Sequence, residues 1–365
     1  MSDITAPRFF LGANSPQGFY SLFDELEQAE QPWHSFLIKG GPGCGKSSFL
    51  KKVAALYAAS CPKLELFPCS SDPGSLDAVL LPEQQLSLMD ATAPHTKEAS
   101  IPAVRHTLFS FGEYLDGTPL QKHRQEIEAL FAAKPKYYQL ACAYLNAAQT
   151  FLRNSYEIAD RAVDREKLDG YARRFAAKYF PPMHCAGSEK RRFLSTICAD
   201  GVITLEDTPQ LLCRRIYLID DDCGAVAHRL LTQLRHYALT AGHEVITCRC
   251  PMAPEQKIEH LLIPTAGIAF LTSNHFHAFS SCGSVRKIHA RRFQNQEPMK
   301  LRKEHFLSNR KAAQTLLAQA IVILHESRQL HDKLESLYQN SMDFDALNSH
   351  IPHYLQLLQK YSHHK

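Results

Sequence analysis

Residues 36–50 read Phe-Leu-Ile-Lys-Gly-Gly-Pro-Gly-Cys-Gly-Lys-Ser-Ser-Phe-Leu. Gly40, Gly45, Lys46 and Ser47 satisfy G-x-x-x-x-G-K-[ST]. An apolar run from Ser35 to Ile38 precedes the loop, and an amphipathic helical pattern from Ser48 to Ser60 follows it. Strand, loop, helix is the setting in which such a loop cradles phosphate. Glycines admit positive φ and let backbone N–H groups approach an anion. The helix that follows turns its positive end toward the same point. The lysine reaches the β- and γ-phosphates, and the serine hydroxyl holds magnesium. The expectation is therefore a triphosphate site made by Gly40, Gly41, Pro42, Gly43, Cys44, Gly45, Lys46, Ser47 and Ser48, with Ser47 as a metal ligand. No N-K-x-D element follows, which favours ATP with Mg²⁺ over GTP.

The rest of the chain reads as two copies of one unit. Arg8-Phe-Phe-Leu and Gly18-Phe-Tyr-Ser-Leu match Arg191-Arg-Phe-Leu and Gly201-Val-Ile-Thr-Leu. Cys69 to Pro73 matches Cys250 to Pro254, Leu76 to Pro82 matches Ile258 to Pro264, and Leu86 to His95 matches Ile268 to His277. The offset stays between 181 and 183. Each copy then ends in long helices. Tyr137, Ala141, Tyr144, Ala148 and Phe151 form one apolar stripe, broken at Ser155 and resumed at Ile158. Ala313, Leu316, Ala320, Ile323, Leu330, Leu334 and Leu337 form the other. Packing of each stripe within its own copy is the first expectation, and a homodimer or protein-partner surface the alternative. The fold class expected is α/β: tandem P-loop NTPase-like units, each a mainly parallel sheet with a helical hairpin. The boundary, near Pro181 to Ser188, gives domains of 1–186 and 187–365.

The second copy has lost the loop chemistry. Asp221-Asp-Cys-Gly-Ala-Val-Ala-His228 stands opposite Gly40 to Ser47, so Ala227 aligns with Lys46 and His228 with Ser47. Asp220, Asp221 and Asp222 at the loop's start would repel a triphosphate. In the first copy, Asp90 ends the apolar run Leu86 to Met89, as a magnesium-binding aspartate ends its strand. Asp72 follows the strand around Leu64 to Cys69, at what should be the same sheet edge. Their counterparts are Thr272 and Ala253. Lys46, Asp90 and Asp72 are the expected catalytic residues, with Asp90 also a metal ligand. Asp72 and Glu83 are candidates for orienting the attacking water, and Arg191, Arg214, Arg215 and Arg229 for a cation supplied by the second copy.

Composition narrows the class. The 365 residues, 45% hydrophobic and 21% charged, suffice for two globular domains. The net charge of +4 is scattered and too mild to make nucleic acid the main partner. No run of about 18 apolar residues occurs, so no membrane span is expected. The Met1 to Thr5 segment lacks the basic and apolar regions of a signal peptide, and eleven cysteines then read as reduced thiols of a cytoplasmic protein. Nineteen histidines raise a metal reading. His275-Phe-His277 and Cys248-Arg-Cys250 each offer two ligands without a four-ligand spacing, so a core role is favoured. His95 and His277 occupy one place in both copies, which favours a structural role, with a phosphate or water contact as the alternative.

Gly18-Phe-Tyr-Ser, the loop Gly40 to Ser48, Cys69-Ser-Ser-Asp-Pro, Asp77-Ala-Val-Leu-Leu-Pro, Asp90-Ala-Thr-Ala-Pro-His and Gly112-Glu-Tyr-Leu-Asp together give the chain a resemblance, over nearly its whole length, to a bacterial family of tandem P-loop (RecA-like) ATPases and ATP-binding proteins. The resemblance implies two P-loop units and ATP hydrolysis, with no substrate attached. In that family the second unit often keeps a phosphate loop, and this sequence departs from the pattern there. The expected function is an ATPase with a single site in the first half, the second half supporting or regulating it. A small-molecule or nucleotide kinase and a non-catalytic ATP-dependent switch or scaffold are the alternatives.

Overall fold

A computed structural model describes residues 4–27, 33–279 and 285–362. In chain order the elements are β1 (Gly12–Ser15), β2 (Gly18–Ser21), β3 (His34–Lys39), α1 (Lys46–Tyr57), β4 (Glu65–Pro68), β5 (Leu76–Leu81), β6 (Leu86–Asp90), β7 (His106–Ser110), α2 (Gly117–Lys122), α3 (Arg124–Arg161) and α4 (Arg165–Tyr179). They continue as β8 (Ser188–Arg192), β9 (Ser195–Cys198), β10 (Gly201–Thr204), α5 (Thr208–Leu212), β11 (Arg215–Asp220), α6 (Ala225–Thr240), β12 (Glu244–Cys250), β13 (Ala253–Ile263), β14 (Ile268–Ser273), β15 (Val285–His289), α7 (Gln296–Leu301), α8 (Lys303–Gln339) and α9 (Phe344–Ser362). The protein is mixed α/β. Among the described residues no helix is long and apolar enough to cross a membrane.

The chain forms two compact units, and neither is one half of the sequence. The first comprises Met1–Gly12, Ser21–Leu140 and Ile323–Lys365; the second comprises Ala13–Tyr20 and Ala141–Val322. The expected domains 1–186 and 187–365 therefore do not describe the packing. Helix α9, from the end of the chain, completes the first unit's core. Its Tyr354 ring stacks on Phe109 at 4.3 Å and lies 5.9 Å from Phe111, and Leu347 and Leu358 are buried in the same cluster. Helix α4, from the first half of the sequence, belongs to the second unit. Its Phe175 lies 5.0 Å from Tyr217 and 5.2 Å from Phe270, and Leu168, Ala172 and Ala176 are buried beside it. The β1–β2 hairpin also belongs to the second unit, tied there by Asn14 Nδ2 donating to the Ile197 carbonyl at 2.7 Å.

The helical stripes deviate in the same way. In α3 the fully buried positions are Ala141, Leu145, Ala148 and Ala159, whereas Tyr137 and Phe151 are exposed. The polar break at Ser155 has a partner, since its hydroxyl accepts from Asn309 of α8 at 3.1 Å. Polar contacts thus join α3 to α8, a helix of the other sequence half, as also at Lys134 and His331.

Each unit has one main sheet. The first runs β4-β5-β6-β3-β7, and the second β15-β11-β14-β13-β12-β8. Strand directions agree as well: β3 is parallel to β6 and β7, as β11 is to β14 and β15, while β5 and β13 run antiparallel to their neighbours. Register matches too, since Ile38 pairs with Asp90 and Ile219 with Thr272. Arg8 pairs with Leu66 where Arg191 pairs with Thr247, which gives both arginines the same place at a sheet edge. The parallel strands β3 and β6 are buried on both faces and are mainly apolar, as such strands require, with the buried Ser35 and Ser87 hydroxyls bonded to each other at 2.8 Å.

Candidate functional site

The loop Gly40–Gly45 leaves the carboxyl end of β3 and enters α1, whose buried Phe49, Leu50, Val53, Ala54 and Tyr57 turn one face to the sheet. The last loop residue, Gly45, is left-handed (φ 83°), as is Gly43 (φ 68°). No side chain caps the first turn of α1, so its N–H groups remain available to an anion. Cys44 is buried under the loop, its thiol toward the Pro42 carbonyl at 3.8 Å, and Ser48 is exposed on the first helical turn.

Lys46 folds back over the loop. Its Nζ donates to the carbonyls of Gly40 (3.0 Å) and Gly41 (2.8 Å) and lies 3.5 Å from Asp90 Oδ2. Asp90 reaches this point because β6 is the hydrogen-bonded neighbour of β3. Its other oxygen, Oδ1, accepts from the Thr92 N–H at 3.0 Å and the Thr92 hydroxyl at 2.5 Å. Ser47 Oγ accepts the Leu76 N–H at 2.9 Å. The structure thus brings Lys46, Ser47 and Asp90 together. Asp72 stands at the same edge, in the β4–β5 turn. Ser75 Oγ donates to it at 2.7 Å, and Arg328 of α8 donates to it at 3.0 Å. Glu83 is elsewhere. It follows β5, whose end pairs with the start of β6 through Leu81 and Leu86, and it accepts the Cys61 thiol at 2.7 Å. The antiparallel turn carries it to the opposite edge of the sheet, so it is not a water-orienting residue for this loop.

Further groups crowd the same edge; of these only Asp77 stood in a sequence motif, and it carried no site role there. Asp77, at the start of β5, is buried; desolvation and then the Asp90 charge push its carboxyl up to about 8. The retained acid at the matching position, Glu259, was the available signal. The C-terminal turns of α8 pack onto the loop. A Cβ at Gly43 would lie 2.6 Å from Gln339 Cγ and 2.9 Å from Glu335 Cγ, and one at Gly41 would lie 2.8 Å from the Tyr338 ring. Any larger residue at position 43 would collide with this helix as well as strain its own backbone. One turn back, His331 Nδ1 lies 3.0 Å from Lys134 Nζ of α3. Burial and then the Lys134 charge press the imidazole down to about 4. Sequence spacing gave no means of finding Arg328, His331 or Lys134, because the helices that carry them reach the loop only through the tertiary fold. His95 is buried, stacked on Phe23 at 4.4 Å, which agrees with a packing role.

The corresponding loop of the second unit is closed by its own side chain. It has only four residues between β11 and α6, Asp221 to Gly224, so the left-handed Gly224 (φ 74°) caps α6 as Gly45 caps α1. This shifts the alignment: Ala225 and Val226, not Ala227 and His228, stand where Lys46 and Ser47 do. Asp221 is buried beneath the turn, its Oδ2 accepting the Ala227 N–H at 2.9 Å and Oδ1 the Cys223 N–H at 3.3 Å. A carboxylate thus occupies the helix N-terminus where the first unit leaves it open. Lys257 lies over the same turn, so close that a Cβ at Gly224 would be 2.7 Å from its Nζ. The other two acids face outward, Asp220 toward His289 (3.3 Å) and Asp222 toward His275 (3.1 Å). Arg229 is engaged by Asp160 as a bidentate pair, and Arg215 lies over the Tyr179 ring at 5.3 Å. The second unit also holds a cavity of about 1440 Å³, lined in part by Tyr156, Met252, Lys257, Glu259, His277 and Phe306. Cys248 and Cys250 are buried free thiols, and desolvation keeps both protonated. No protein-family model matches the chain, and no curated protein and no solved structure is significantly similar to it.

Proposed function

We propose that the chain binds one ATP with Mg²⁺ at the Gly40–Ser48 loop and hydrolyses it, and that its two sheets are copies of one P-loop unit of which the second has lost its site. The observation that carries this reading is the register of β6 against β3, which sets Asp90 3.5 Å from Lys46 beside an uncapped helix N-terminus. The residues fit the ligand. The left-handed Gly43 and Gly45 shape the loop, Lys46 is held on loop carbonyls at the place a phosphate would draw it from, and Ser47 and Asp90 offer oxygen ligands to a hard cation. A bound magnesium would draw charge from the phosphates, and Arg328 is the cation of the same unit nearest in role to a transition-state clamp. The plugged Asp221 turn supports a single site per chain.

A second reading, an ATP-dependent switch, draws on the contact of Glu335, Tyr338 and Gln339 with Gly41 and Gly43. A ligand that reshapes the loop acts directly on α8. Calorimetric titration with a non-hydrolysable ATP analogue separates these ideas from their failure. One analogue per chain is expected, with binding lost in Lys46→Ala and retained in Asp90→Asn, whose phosphate release should be slow. Two equivalents per chain, or unchanged binding by Lys46→Ala, would sink the reading; hydrolysis by Asp90→Asn at the parent rate removes Asp90 from it.

A further inference from the structure

The floor of the second unit's cavity contains two acceptors that face each other. Asn274 Oδ1 accepts the backbone N–H groups of Phe276 (2.8 Å) and His277 (3.2 Å), which fixes it as the oxygen end of the amide. His277 Nδ1, 3.0 Å from that oxygen, must therefore carry a proton and donate. The neutral ring then presents a bare lone pair at Nε2. This atom is buried, has no hydrogen-bond partner, and lies 3.4 Å from Glu259 Oε1 without being aimed straight at it. The two side chains are only 6% and 4% exposed. Two acceptors this close in a buried site repel each other unless a donor or a cation is shared between them.

We propose that a divalent transition metal, zinc or a borderline neighbour, binds between His277 Nε2 and the Glu259 carboxylate and is reached through the cavity. Tetrahedral ligands about 2.1 Å from zinc stand about 3.4 Å apart, the separation found here. A carbonyl-type oxygen on the far ring nitrogen is the arrangement that orients a metal-ligating histidine. Both residues line the cavity, which leaves the remaining positions to water or a small-molecule ligand. A ring nitrogen of His260 lies within 4.8 Å of both donors. Its Nδ1 accepts the Thr272 N–H at 3.1 Å, so its neutral ring keeps the proton on Nε2, an atom without a hydrogen-bond partner. His260 is therefore not a ligand through that atom. Lys257 Nζ, 3.4 Å from the same Glu259 oxygen, is the competing cation, and the buried Asp221 carboxylate nearby gives that ammonium a second partner. His275 and His277 both lie beyond the end of β14, off the strand on which the pair was expected: His275 turns to Asp222, and His277 approaches Glu259.

The test uses the full chain and the metal alone. Cobalt(II) is titrated in near neutral pH and followed by its visible ligand-field bands, with zinc(II) calorimetry in parallel. One equivalent giving the intense bands of low-symmetry, four-coordinate cobalt is expected, displaced by zinc. Glu259→Gln and His277→Gln, shown by circular dichroism to be folded, should lose the bands. Asn274→Ala should weaken binding about 10–100-fold, and Lys257→Met should tighten it. If the full chain gives no such bands, a proton alone bridges the pair and the proposal is overturned; bands that persist in folded His277→Gln overturn it equally.

Discussion

The assignment of α9 to the first unit makes a quantitative claim about Tyr354. Its ring stacks on Phe109 at 4.3 Å, lies 5.9 Å from Phe111 and 6.1 Å from Phe49, and its hydroxyl is 3.1 Å from that of Tyr114. Large aromatic-to-alanine changes cost about 3–5 kcal/mol in full cores. Tyr354 is only partly buried, which moves the expectation to the low end, about 3 kcal/mol. Of this, aromatic geometry supplies about 1 kcal/mol and the hydroxyl contact about 1 kcal/mol. The chain has one tryptophan, Trp33, buried beside β3 in the first unit. Its fluorescence therefore reports that unit alone. In urea, Tyr354→Ala should move the Trp33 transition to lower denaturant by the equivalent of about 3 kcal/mol, or by about 6–12 °C on heating for a unit of this size. Tyr354→Phe, which keeps the ring and loses the hydroxyl, should cost about 1 kcal/mol. A Trp33 transition in Tyr354→Ala indistinguishable from the parent refutes the packing of α9 on this core.

Residues 1–186 expressed alone lack α9 and α8, leaving Phe109, Phe111 and Phe49 uncovered; the fragment should be aggregated or show red-shifted Trp33 emission, and a soluble fragment with native emission contradicts the exchange of helices between sequence halves. Arg328→Ala should lower kcat for ATP hydrolysis by about a hundredfold or more while KM changes little; equal changes in the two, or none, remove Arg328 from the transition state. His331 is held neutral in the folded state, its pKa depressed from 6.5 to about 4 by burial and Lys134. The unfolded chain thus binds the extra proton between those values, so stability is lost as pH falls from 6.5 toward 4. At 1.36 kcal/mol per unit, reduced for partial exposure, the loss is about 1–2 kcal/mol. The Trp33 midpoint should fall less steeply over that window in His331→Gln, and parallel pH profiles would dismiss the effect.

The glycine-rich loop Gly40–Ser47 and its flanking elements were legible because their causes are local. Glycines at fixed places, an apolar strand before and an amphipathic helix after are all written within some twenty-five residues, and β3 and α1 appear where that pattern puts them. Asp90 at a strand end was legible for the same reason, and the repeated segments found at offsets of 181 to 183 correspond to strands in matching order. The tertiary structure decided what those patterns leave open. A 38-residue and a 37-residue helix each carry an apolar stripe, and a stripe states only that a face must be covered, not by which partner. Which sheet α4 and α9 cover was therefore decided by the aromatic surfaces they meet, Tyr217 and Phe270 in one case and Phe109 and Phe111 in the other. The cations and acids around the loop, Arg328, His331, Lys134 and Asp77, follow from that choice, because side chains distant along the chain share an electrostatic site only after packing has brought their backbones to one sheet edge.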